Sequence, residues 1–198
     1  MKVDFDKSKT KVNLARSFSA ECMEGAKYQF MAKQAESEKL EYLKMQLKTL
    51  AKHEMSHAQV FWDYLKQYSK QKNNNIDLNF GYPFENNSLC ENFKSHSKNE
   101  YELFEHIYPA FAKIATDEGF EDIAHSFKLI ATVENCHSML LNQMYEKMKS
   151  GKLYKSPKST KWKCSKCGFE HTAKQAWEIC PLCKEAQGYA EIPFDMGE

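Results

Sequence analysis

One pattern constrains this chain more than any other. Two helical stripes, offset by 80 residues, are apolar except for a glutamate and a histidine in the middle of each. Leu43, Leu47, Leu50, Glu54, His57, Phe61, Tyr64 and Tyr68 follow at alternating steps of four and three, which is one face of an α-helix. Ile123, Phe127, Ile130, Glu134, His137, Leu141, Met144 and Met148 repeat those steps. A carboxylate inside an apolar stripe is costly unless it is paired or holds a cation. Residues at i and i+3 share a helix face, so Glu54 with His57, and Glu134 with His137, can each ligate one cation. A lone pair of this kind is usually a surface hydrogen bond. Two at matching places in a duplicated segment point to two cations held close together, with the glutamates bridging.

The rest of the chain supplies the frame. A first helical stripe runs over Leu14, Phe18, Glu21, Gly25, Tyr28, Ala32 and Ala35, and a third over Phe93, Glu100, Ile107 or Tyr108, Phe111 and Ile114. Residues 71–91 are rich in Asn and carry a Gly-Tyr-Pro turn, so they read as a long connection. Gly119 marks the turn inside the second hairpin. Two hairpins of long helices joined by one crossover predict an all-α four-helix bundle of ferritin-like topology, which needs one more carboxylate from each remaining helix. Glu21 precedes Glu54 by 33 residues and Glu100 precedes Glu134 by 34, so these two are expected to complete the set. The extra residue, together with Pro109, suggests a bulge in the third helix. Oxygen-rich ligation with two imidazoles suits iron or manganese. Asp122 and His125 also form a pair at i and i+3, but off the stripe, and are expected to be solvated.

The last forty residues obey a different logic. Cys164-Ser-Lys-Cys167 and Cys180-Pro-Leu-Cys183 are two knuckles separated by twelve residues, the spacing of a tetrahedral four-cysteine site for zinc or iron. So short a segment requires the metal as a staple. Trp162, Phe169, Trp177 and Phe194 are expected to pack around it. Ser150–Lys152 and residues 155–160 read as a linker, which puts the bundle at 1–155 and the four-cysteine domain at 156–198. The N-terminal stretch has no apolar run and no segment is long enough to cross a membrane, so a cytoplasmic, reducing setting is expected. There Cys22, Cys90 and Cys136 are single thiols. Lys and Arg total 28 against 27 Asp and Glu, and Arg16 is the only arginine. That balance excludes nucleic-acid or membrane binding driven by bulk charge.

These features together resemble the rubrerythrin family, over nearly the whole chain from Asn13 to about Ile192. The segment YPAFAKIATDEG at 108–119 and the tail KWKCSKCG…CPLC share that likeness. The resemblance implies two non-haem irons on Glu21, Glu54, His57, Glu100, Glu134 and His137, and one iron on Cys164, Cys167, Cys180 and Cys183. It places Tyr28 and Tyr108 beside the diiron centre. It implies reduction of hydrogen peroxide to water in protection against oxidative stress. Electrons would come from NAD(P)H through a separate reductase or a rubredoxin, and pass from the four-cysteine iron of one subunit to the diiron centre of its homodimer partner. A ferroxidase or a diiron oxygen reductase is the alternative activity.

One departure stands out. The family usually has a seventh ligand, a glutamate three residues after the third-helix one; here that position is Leu103. Glu24 stands in the matching place of the first helix, three residues after Glu21, where the family usually has a small residue. The seventh carboxylate is therefore expected to have moved to the other hairpin, with Glu24 exchanging against His137 on change of redox state. Replacement by Glu102 or Glu105 through the bulge is the lesser alternative. His53 neighbours Glu54 but points about 100° away from it and is expected in solvent; His96, His106 and His171 carry no pattern.

Overall fold

The computed structural model describes residues 3–70, 75–84 and 87–195. Four helical rods form a bundle: α1 (Lys9–Ser37), α2 (Glu41–Tyr68), a broken rod of α3 (Leu89–Glu102) and α4 (Tyr108–Asp117), and α5 (Glu121–Lys149). Ser8 caps α1 by accepting a hydrogen bond from the Lys11 amide at 3.0 Å. The two hairpin turns repeat at the 80-residue offset. Lys39 and Gly119 both take left-handed φ, 59° and 85°. In each turn the next amide, Leu40 or Phe120, donates back to Ala35 or Ala115. This is the Schellman closure, in which glycine is favoured and lysine tolerated.

The third rod is interrupted by a wide π-helical turn over Leu103–Ile107, in the helix where the residue count suggested a bulge. The turn inserts one residue between Glu100 and Tyr108. Tyr28, Glu54 and His57 therefore map onto Tyr108, Glu134 and His137 at an offset of 80, while Glu21 maps onto Glu100 at 79. It also settles which residue turns inward: Tyr108 is 1% exposed and Ile107 is 38%.

Apolar packing closes the bundle above and below the polar layer. Phe61, Tyr108, Phe120, Ile123 and Phe127 belong to one buried cluster. Leu43, Leu47, Leu50, Leu141 and Met144 belong to the other. The Glu/His positions lie between them along α2 and α5, so the carboxylates are sealed from solvent at both ends. Ser97 Oγ donates to the Ser138 carbonyl at 3.0 Å and Ser138 Oγ returns the bond to the Ser97 carbonyl at 2.8 Å, tying α3 to α5.

Strands β1 (Lys155–Lys163) and β2 (Glu170–Gln175) pair antiparallel after the bundle. Residues 155–160, expected as a linker, are thus strand; their pairing is irregular between Lys155 and Thr160. Trp162 is fully buried among Ala176 and Ala190, and its Nε1 donates to the Ala173 carbonyl at 3.0 Å. Phe169 and Trp177 meet edge to face at 5.5 Å. Phe194, expected in the same small core, instead stacks on Tyr42 of α2 at 6.3 Å.

The tail therefore seats on the bundle. A Cβ placed on Gly188 would lie 1.9 Å from the Lys39 carbonyl oxygen, so only glycine allows this approach. Gly188→Ala is expected to lower stability by about 1–3 kcal/mol, the usual cost of forcing atoms into a packed contact, measured by urea unfolding. A wild-type midpoint would show that the contact yields.

Candidate metal centres

Helical spacing brings four carboxylates and two imidazoles together in the bundle. Donor atoms of Glu21, Glu54, His57 and Glu134 lie within 4.8 Å of one another, as do those of Glu54, Glu100, Glu134 and His137. Glu54 and Glu134 belong to both groups, the bridging position expected of them. His57 Nδ1 sits 3.0 Å from Glu134 Oε1, 3.3 Å from Glu54 Oε2 and 3.5 Å from Glu21 Oε2. His137 Nδ1 sits 2.9 Å from Glu134 Oε2 and 3.0 Å from Glu54 Oε1. All six residues are less than 9% exposed.

The donor set fits two cations. Glu54 Oε1, both oxygens of Glu134, Glu100 Oε2 and Nδ1 of both histidines are buried and, although most of them crowd one another, none makes a well-aligned hydrogen bond among the described residues. Such atoms are expensive in a protein interior, and the cost is relieved when a cation takes the lone pairs. The protonation pattern tells the same story. Burial drives Glu21 and Glu100 well above the usual carboxylate range, and neighbouring glutamates add to it. Burial also opposes ionisation of Glu54, but His137 and His57 outweigh it and bring the group to about 2. Burial would lower His57 and His137, yet the facing carboxylates lift them to about 12 and about 9. Without a metal, protons do the neutralising.

Two tyrosines lock the outer carboxylates across the hairpins. Tyr28 on α1 donates to Glu100 Oε1, and Tyr108 on α4 donates to Glu21 Oε1. Glu24 is inward and 6% exposed, yet it is not among the atoms of either group. It rests instead on two residues that the sequence reading left without a role. His96 Nδ1 is 2.8 Å from Glu24 Oε2, and Tyr82 from the crossover donates to Glu24 Oε1 at 2.8 Å. Glu102 and Glu105 face solvent and Leu103 is half-buried, so the bulge brings neither acid in to replace the seventh ligand. Asp122 and His125 are exposed, as expected.

His53 is exposed, as expected, but its ring also reaches a residue of the site. Its ring stacks on His137 with centroids 5.3 Å apart and planes 9° apart, and its Nδ1 lies 3.1 Å from His137 Nε2. With Nδ1 of His137 facing the carboxylates, Nε2 is free to donate to His53, which fixes the tautomer and ring angle of a ligating histidine. His53→Ala is expected to weaken metal binding about 10–100-fold, and more on the His137 side. Titration of the metal-free protein with Co²⁺, followed by absorption, reads this directly; an unchanged isotherm would reduce His53 to a surface contact.

In the tail, Sγ of Cys164, Cys167, Cys180 and Cys183 lie within 4.8 Å of one another. Cys164 Sγ is 3.7 Å from Cys183 and Cys167 Sγ is 3.7 Å from Cys180. Each knuckle closes by the same bond, Gly168 N–H to the Cys164 carbonyl and Lys184 N–H to the Cys180 carbonyl. Both closing residues take left-handed φ, 73° and 64°. Four convergent thiols at this spacing fit a tetrahedral metal. All seven cysteines are free thiols.

A ferritin-like bundle with a carboxylate/histidine diiron site, followed by a rubredoxin-like four-cysteine domain, defines a class of metal-dependent oxidoreductase. Residues 12–145 match the rubrerythrin family and 162–189 match the rubrerythrin rubredoxin-like domain. The chain belongs to the rubrerythrin family. It is 31% identical over 186 residues to rubrerythrin-1 of Clostridium acetobutylicum and 30% identical over 186 residues to the rubrerythrin of Clostridium perfringens. Each alignment covers 93% of this chain and 94% of the relative. Among solved structures, partially reduced nigerythrin shares the fold with a TM-score of 0.61 at 21% identity, over 96% of this chain and 94% of that one. The bacterioferritin of Desulfovibrio desulfuricans covers 73% of this chain and 86% of its own, with a TM-score of 0.53 at 18% identity. Among the described residues no helix is long and apolar enough to cross a membrane.

Proposed function

We propose that this chain reduces hydrogen peroxide to water at the bundle site, using electrons that reach it by way of the four-cysteine iron. The observation that carries this reading is the coexistence, in one chain, of the buried Glu/His cluster and the four-thiol site. Iron storage needs no electron input, whereas each peroxide consumes two electrons. The original donor would be NAD(P)H, through a separate reductase or a rubredoxin. A reducing compartment such as the cytoplasm suits three single thiols, Cys22, Cys90 and Cys136, beside four metal-binding cysteines, none of the seven in a disulfide.

Glu21, Glu54, His57 and Glu134 would hold one iron and Glu54, Glu100, Glu134 and His137 a second; Cys164, Cys167, Cys180 and Cys183 would hold the third. When bound, the two ferrous ions supply Lewis acidity and the electron pair that opens an O–O bond without freeing a hydroxyl radical. The protein does the rest. Burial and the adjoining carboxylates push Tyr28 and Tyr108 well above the usual phenol range. Both stay protonated, hold Glu100 and Glu21 in place, and stand beside the site as hydrogen-bond donors. The apolar layers keep water from competing. Glu24 would be the exchangeable ligand of the Glu100/His137 side, alternating with His137 and resting meanwhile on His96 and Tyr82. A reduced crystal structure in which ligation changes only at His57 would overturn that assignment.

The packing of the tail supports transfer between subunits of a homodimer. Gly188 meets the chain at Lys39–Glu41, and Glu54 is thirteen residues farther along α2, about 20 Å at 1.5 Å per residue. The unit spanning 1–155 would house the reaction and 156–198 the relay. Mixing anaerobically reduced protein with hydrogen peroxide tests the reading. Rapid oxidation with one peroxide consumed per two electrons is expected. Continued oxidation of Fe²⁺ added far beyond two per chain would establish a ferroxidase instead. A red protein with thiolate-to-iron absorption bands would exclude zinc from the four-cysteine site.

A further inference from the structure

A cavity of about 620 Å³ lies beside the bundle site, between α1, crossover residues 79–83 and the π-helical turn. The space is far more than the roughly 10–15 Å³ of such volume that one water-sized molecule needs, so it has room for a much larger guest than hydrogen peroxide. Glu24 and Tyr108, the latter bonded to Glu21, line it, so the cavity meets the residues of the metal centre. Phe80, Leu103 and Phe111 give it apolar walls. Arg16, the only arginine of the chain, lines it as well. Arg16 and Glu24 are eight residues apart on α1, about 12 Å along the helix. Arg16 Nε is buried with no hydrogen-bond partner among the described residues.

An apolar-walled cavity lined by a guanidinium and, about 12 Å away along α1, by a carboxylate next to the reaction centre selects for one kind of molecule. We propose that it admits fatty-acid hydroperoxides, with the carboxylate on Arg16 and the O–O group at Glu24 and Tyr108. A guanidinium matches a carboxylate with two parallel hydrogen bonds, and Nε is one of the donors such a pair uses. The apolar walls cover the hydrocarbon chain. The proposal rests on the peroxidase reading and widens its substrate class. The reaction is ROOH + 2 e⁻ + 2 H⁺ → ROH + H₂O: the O–O bond breaks, each oxygen ends with one added proton, and the two electrons are those the iron pair provides for hydrogen peroxide.

Binding tests this apart from turnover. Hydroxylinoleate, the alcohol product, and its methyl ester would be titrated calorimetrically into the iron-loaded protein. The acid is expected to bind at least tenfold more tightly than the ester, and Arg16→Gln is expected to remove that preference. Equal affinity of the native protein for acid and ester, or binding of neither, overturns the proposal without reference to the variant. Turnover is then compared in one assay. Reduction of hydrogen peroxide but not of linoleate hydroperoxide also overturns it. Failure of both strikes the peroxidase reading itself, and the acid-over-ester comparison still decides whether the cavity takes a fatty acid.

Discussion

Cys164→Ser is expected to abolish reductase-driven peroxide turnover while the prereduced bundle still reacts once with peroxide at the native rate. Cys164 is fully buried, and its amide donates to the Phe169 carbonyl at the start of its knuckle. A serine there keeps the backbone bonds but offers a hard, reluctantly ionised oxygen in place of a thiolate. The buried apolar cluster of the tail contains Trp162, Ala176 and Ala190, too little to hold the domain without its metal staple. The bundle does not share this weakness, because two large clusters of its own flank the Glu/His layer. The variant therefore separates electron entry from chemistry. Stopped-flow oxidation of the dithionite-reduced protein measures the second, and steady-state NADH consumption with a reductase measures the first. Native behaviour in both assays would mean that electrons reach the bundle without the four-cysteine site.

What the sequence made legible follows from what helices conserve. A carboxylate and an imidazole fixed at i and i+3 on an apolar stripe are already placed once the stripe is recognised, so Glu54, His57, Glu134 and His137 could be assigned without coordinates. The count of 33 against 34 residues, with Pro109, suggested a bulge in the third helix, and the π-helical turn at Leu103–Ile107 absorbs the extra residue. Contacts between elements were not legible. His53 lies off the stripe of its own helix, but α5 presents His137 on that side. Tyr82 belongs to the crossover, where no periodicity exists to read. His96 precedes Glu100 by four residues and so shares its face, a signal that the spacing did carry. Phe194 failed for the opposite reason: proximity in sequence to the cysteines suggested a shared core, and the bundle offered Tyr42 instead.

Glu100→Gln is expected to reverse the order of stability between metal-free and iron-loaded protein. Glu100 is 1% exposed. Burial raises its carboxyl far above the ordinary value of 4.5, and the charges of Glu54, Glu134 and Glu24 raise it further, while the bond from Tyr28 opposes them. A carboxyl whose folded pKa lies above its unfolded value withdraws stability as pH rises, from the unfolded value up to the folded one. Metal-free wild type should therefore weaken between pH 5 and pH 8. Glutamine keeps an oxygen to accept from Tyr28 and has no proton to lose. Metal-free Glu100→Gln should match wild type near pH 4.5 and exceed it in stability at pH 8, because the variant has no carboxyl to ionise in the buried site. Iron inverts the comparison. Binding to the folded state stabilises it by mass action, and the variant lacks a ligand on the His137 side. Its iron content should fall from two toward one in the bundle, with peroxide turnover lower by at least about a hundredfold, the upper end of what loss of a mere supporting contact costs. Thermal melts with chelator and with Fe²⁺, at both pH values, check every part. A variant less stable than metal-free wild type at pH 8 would show that Glu100 contributes to the fold by itself. The expected result would show that the buried acid is tolerated for the sake of the metal.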